Sequence, residues 1–147
     1  MKHDLSRATF IIPIKIESDD RLRNVITSIC FLLDNFDTTV MVKEVDDQSR
    51  FVTEALPQIL EFCDTIDGLV HSFEHSTAPS FHRQRVLNDM IMEAKTEIVV
   101  NYDCDILLPV ESYLSAYNSI LDNEADVVYQ YGDGEYQYRV MADDDLV

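Results

Sequence analysis

The sequence predicts an α/β domain: a three-layer sandwich with a mainly parallel sheet held between helices. Three observations point there. Apolar, β-branched runs alternate about five times with segments of helical period, the pattern of strand–helix–strand crossovers. The first run, ATFIIPI at 8–14, is apolar without alternation, as a strand buried on both faces must be. Polar and charged residues gather after successive runs, at the rim where parallel sheets bind ligands.

Each element follows from its own residues. Leu22, Val25, Ile26, Ile29, Leu32, Leu33 and Phe36 recur at helical spacing, with Ser18 or Asp19 placed to cap them. TTVMVKEV at 38–45 is strand-like, and SRFVTEALPQILEFC returns to a helical period, with Pro57 marking a kink or a break. GLVHSF at 68–73 is a short strand. A helix over 81–95 carries Val86, Leu87, Met90, Ile91 and Ala94 on one side. TEIVVNY at 96–102 reads as a strand, and Pro109 suits the first turn of the helix after it. ADVVYQY at 125–131 is a further strand, and GDGEYQYRV a turn into a returning one.

Bulk properties narrow the function. The 147 residues make one domain, with 28 acidic against 11 basic side chains and a net charge of −17. That field repels nucleic acid and anionic membranes. No apolar stretch reaches the roughly 20 residues of a membrane span, and the polar start lacks a signal peptide's apolar core. Cys30, Cys63 and Cys104 are odd in number and lack CxxC spacing, which reads as reduced thiols in a cytoplasmic protein.

The segment NYDCDILLP at 101–109 sets the chemical question. In an extended backbone Asp103 and Asp105 point the same way, and carboxylate oxygens suit Mg²⁺ or Mn²⁺ completed by water and phosphate. In so acidic a chain Asp-x-Asp also arises by chance, as at Asp143 and Asp145, so the motif alone leaves a solvated acidic loop equally open. Other candidates converge on the rim: Lys15 and Glu17 after the first strand, Asp46 and Asp47 after the second, and His71, Glu74 and His75 after the third. Asp46 can accept from a base or ribose, or the DDQS stretch is a capping turn. Arg85 can pair with a phosphate or with Asp103, whereas Arg83 reads as part of a charged helix face. The histidines match no zinc spacing and read as surface or structural groups. Cys104 reads as a small buried spacer between the aspartates. The tyrosines of YQYGDGEYQY fit a sugar-pocket wall or an ordinary hairpin.

FIIPIK, then EVDDQS, then RVLNDMIMEAKTEIVVNYDCDILLP, in that order, resemble the nucleotide-binding half of a GT-A glycosyltransferase of the family 2 type. Arg85, Asn88 and Ala94 fall at that family's helix spacing, and the resemblance runs over about 8–131. It implies a domain that binds a nucleotide-sugar, a UDP-sugar, and passes the sugar to the hydroxyl of a sugar, lipid or protein acceptor. Pro13 and Lys15 would lie against the donor, Asp46 would read the base, and Arg85 would sit near base or diphosphate. Asp103 would contact the ribose or the metal's water shell, and Asp105 would coordinate Mn²⁺ or Mg²⁺ bridging the diphosphate.

The acceptor half of such an enzyme would lie beyond 131, so 132–147 reads as a C-terminal hairpin or tail of a truncated or minimal form. A second copy would cover any apolar surface left bare. The alternative reading is a non-catalytic nucleotide-sugar or metal-binding module lacking the acceptor half. A receiver-type phosphorylation domain also clusters Asp, but it needs a Lys on a late strand, and no Lys follows Lys95.

Overall fold

The computed structural model describes residues 1–130. Within them β1 (His3–Ile14), β2 (Phe36–Asp46), β3 (Leu69–His75) and β4 (Ile98–Asn101) form one parallel sheet in the order β3-β2-β1-β4. Helices cover both faces. α1 (Asp19–Asn35), α2 (Leu56–Phe62) and α4 (Val110–Leu121) pack with Phe10, Ile12, Ile14 and Val42 on one side. α3 (Arg83–Glu93) lays Val86, Leu87 and Met90 on Ile11 and Val45 on the other. The molecule is the expected α/β three-layer arrangement.

Local chemistry explains the boundaries. Ser18 caps α1, its hydroxyl accepting the amide of Arg21, and Asp19 and Asp20 in the first turn complement the helix dipole. Residues 51–62 are helical, with a break as expected before Pro57. Phe51–Ala55 form a π-helical turn in which the Leu56 amide donates to the Phe51 carbonyl, and α2 starts with Pro57 in its first turn. Proline has no amide to continue an α-pattern bond backward, so a change of hydrogen-bond register falls there. Gly68, at φ +93°, makes the tight entry to β3; a Cβ there would lie 2.2 Å from the Thr38 carbonyl oxygen.

Three element assignments need correction. β1 begins at His3, well before Ala8, because its first residues still pair with β2 ahead of a register shift between Asp4 and Thr9. β4 is only Ile98–Asn101, since its one neighbour among the described residues, β1, pairs with it from Ala8 to Ile11. The described part of the 125–131 run carries no strand: Val127 and Tyr129 are exposed, and β-propensity without a ladder neighbour does not make a strand. The GDGEYQYRV hairpin lies outside the described residues.

Pro13 stands in a central strand, normally a poor place for proline. The Ile11 carbonyl accepts the Tyr102 amide on the β4 side, so Pro13, two residues on, turns its backbone to that same side. β4 has already ended there. The missing amide breaks no ladder bond, and β1 runs on past β4, still paired with β2 through Pro13 and Ile14, leaving a gap in the rim on the β4 side.

Candidate functional site

The gap is the candidate site. Strand order reverses between β1 and β4, and in open parallel sheets the crevice beyond the carboxyl ends at such a reversal is where ligands bind. A cleft of about 330 Å³ opens there, lined by Pro13 near the end of β1, Lys15 and Glu17 after it, Phe81 just before α3 and Arg83 at its start, Arg21 from α1, and Tyr102 to Asp105 after β4. Its charged side chains balance: Lys15, Arg21 and Arg83 against Glu17, Asp103 and Asp105. In a chain of net charge −17 this is a locally neutral place, where an anion and a cation can be held together. A second hollow of about 290 Å³ lies against β4 and α4, lined largely by apolar side chains such as Leu5, Phe10, Ile98 and Tyr113; Asp103 borders both.

The aspartate pair reaches the cleft by a different backbone from the expected one. Residues 103–106 form a turn, the Ile106 amide donating to the Asp103 carbonyl, so an extended segment does not align the carboxylates. The turn is fixed from beneath. Buried Cys104 gives its carbonyl to the Ser28 hydroxyl at 2.5 Å, and the Tyr102 hydroxyl donates to the Ile106 carbonyl at 2.7 Å and meets the Tyr113 hydroxyl at 3.0 Å. Cys104 is therefore the buried spacer expected, its thiol pushed up by burial, while Asp103 and Asp105 stay exposed at the cleft.

The arginines exchange the roles read from sequence. Arg83 Nη2 donates to Asp103 Oδ1 at 2.5 Å and to Asn101 Oδ1 at 3.2 Å. Arg85, expected to face Asp103 or a phosphate, instead pairs with Glu74 at 2.6 Å and Asp89 at 3.1 Å, and does not line the cleft. The physical reason is helix phase. Arg83 lies three and four residues before buried Val86 and Leu87, on the sheet-facing side, and Arg85 is turned away from it. Asn88 likewise lies on the exposed side, accepting from Gln84.

Lys15 Nζ stands 3.8 Å from Asp46 Oδ1, which also accepts the Asp47 amide at 2.8 Å. Asp46 thus sits at the margin, joined to the cleft through Lys15. Arg21 and Phe81 were not foreseen in the sequence, nor was Glu44. Glu44 is fully buried and accepts from the Ser49 hydroxyl and from the Arg50 and Phe51 amides, capping the helical segment that follows β2. Burial alone would raise its carboxyl, but the His71 imidazole at 3.8 Å, the Ser49 hydroxyl and the Phe51 amide together hold it below the usual carboxylate range. His71 itself stacks on Phe51 at 4.3 Å, a structural place as expected.

Among the described residues, no three His, Cys, Asp or Glu side chains gather to hold a metal by protein alone. The exposed carboxylates of Asp103 and Asp105 are the oxygen-donor type a hard cation takes when waters and phosphate oxygens fill the rest of its shell. None of the described helices is long and apolar enough to cross a membrane.

The chain matches no known family profile and no curated relative. Among solved structures, protein Rv1636 from Mycobacterium tuberculosis H37Rv aligns with 85% of this chain and 95% of its own, at 13% identity and a TM-score of 0.41. At that level the likeness carries no argument about function.

Proposed function

We propose that the chain is a cytoplasmic GT-A-like domain that binds a nucleotide-sugar, a UDP-sugar, together with Mn²⁺ or Mg²⁺, and serves sugar transfer to an acceptor hydroxyl. The observation that carries the reading is the charge-balanced cleft at the strand-order reversal. Three cations and three carboxylates line it, a balance that supports holding a diphosphate together with its metal. In this reading Asp105 and Asp103 hold the cation, and Lys15, Arg21 and Arg83 face the diphosphate. Pro13 and Phe81 form the apolar part of the lining, and Asp46 waits at the margin for a base or ribose donor. The bound cation would supply charge stabilisation as the nucleoside diphosphate leaves.

Arg83 has a part of its own. It now neutralises Asp103, so a cation arriving there must displace its guanidinium, which is then free for phosphate. The two side chains are 41% and 51% exposed, so the pair is a weak, screened one and little opposes that exchange. Equilibrium dialysis of a radiolabelled UDP-sugar tests the reading. Retention that requires Mn²⁺ supports it, and equal partition with and without metal removes it. Release of UDP on adding acceptors then separates a transferase from a non-catalytic binding module.

A further inference from the structure

We propose that Cys30 and Cys63 form a reversible disulfide, a modification site separate from the cleft. The thiols are 33 residues apart in sequence, yet their Sγ atoms lie 2.7 Å apart. Cys30 projects from α1 and Cys63 caps the C-terminal end of α2. Sulfurs at that separation are already closer than ordinary van der Waals contact, and a small side-chain shift takes them to a bond of about 2.05 Å. Cys104 does not compete. Its turn is held by Ser28, two residues from Cys30 and therefore on a nearly opposite side of α1.

Cys30 is half-buried and Cys63 buried, so Cys30 reacts first. With a small-molecule disulfide such as oxidised glutathione, Cys30 loses its proton and its sulfur attacks the oxidant, expelling one glutathione thiolate. Cys63, deprotonated in turn, attacks the Cys30 sulfur of the mixed disulfide and expels the second. The chain loses two hydrogens, and the oxidant is reduced to two thiols. Burial, helped by the adjacent Cys63 thiol, pushes Cys30 up to about 12, and burial raises Cys63 as well. Both are therefore protonated at neutral pH, and the exchange is slow there and faster in alkali.

The bond ties α1 to the end of α2 across β2 and the π-helical turn, which restricts the unfolded chain. It lies nine residues, roughly 13 Å, along α1 from Arg21, so it locks that layer and leaves the cleft alone.

The test treats the full chain with oxidised glutathione at about pH 8.5, near the ordinary thiol value, then alkylates and reads intact mass and peptide map. The expected product is two hydrogens lighter, joined between Cys30 and Cys63, and alkylated once, at Cys104. Its melting temperature rises by several degrees and falls back with dithiothreitol. Cys104→Ser gives the same bond. Three alkylated thiols, a linkage to Cys104, or a bond that forms only in urea would each overturn the proposal. The deciding readout is on the unsubstituted chain, so it does not depend on how Cys30→Ser or Cys63→Ser folds.

Discussion

Arg83 and Asp103 form an ion pair at the cleft, and one substitution separates the two roles the proposed reading gives Arg83. Arg83→Gln removes the resident counter-cation, so Mn²⁺ alone should bind roughly two- to fivefold tighter, the range an exposed ion pair allows. UDP with Mn²⁺ should bind about tenfold weaker, because a charged phosphate donor is lost. Opposite signs in one calorimetric series support the exchange; a parallel loss of both would mean that Arg83 merely positions the turn. The sequence held much of this. Lys15, Glu17, Asp103 and Asp105 were legible from strand ends, Pro13 came only with the family resemblance, and all five line the cleft. Arg83 was also legible in principle, because its spacing to Val86 and Leu87 gives the helix phase that motif spacing alone obscured. Arg21 was not, since nothing in a sequence says how far a helix start leans over the next crevice.

At the scale of elements, Glu44 holds the β2 end to the helical segment after it. Its folded carboxyl titrates below its unfolded value, so its stabilisation is fully present above the ordinary Glu value of 4.5 and is lost as pH falls through the lower, folded one. Thermal unfolding followed from neutral pH into that acid range should show this loss. Glu44→Gln should flatten that part of the profile and cost about 1–3 kcal/mol at neutral pH, as a buried acceptor of three donors is weakened. Gly68→Ala should cost at least about 1–3 kcal/mol, from its positive φ and from the close approach of the Thr38 carbonyl, as chemical denaturation would measure. A neutral result would mean that the β3 entry shifts freely. Element identity was legible wherever period and caps agreed, as at Ser18 and Pro57. It failed at 125–130, because strand-like residues need a neighbouring strand, and pairing is a property of the whole sheet.

Over the whole molecule, the parallel order β3-β2-β1-β4 creates the crevice; the alternation of apolar runs with helical segments was enough to expect a mainly parallel sheet, but not its strand order. Charge acts at the same scale. A chain at −17 repels itself, so its melting temperature should rise between low and moderate salt as the charges are screened; an unchanged value would show that paired charges already offset the field. In the proposed reading the same field would make metal and nucleotide mutually dependent, since a diphosphate alone would meet repulsion that a bound cation removes. Calorimetric titration of UDP and GDP, with and without Mn²⁺, on the unsubstituted chain and on Asp105→Ala tests that dependence most directly. The account predicts heat from UDP only with Mn²⁺, with affinity lowered beyond about a hundredfold in Asp105→Ala, more than outer-shell changes cost a metal site. If neither nucleotide binds and Mn²⁺ alone gives no heat, Asp103 and Asp105 are an acidic turn, and the nucleotide-sugar reading is wrong.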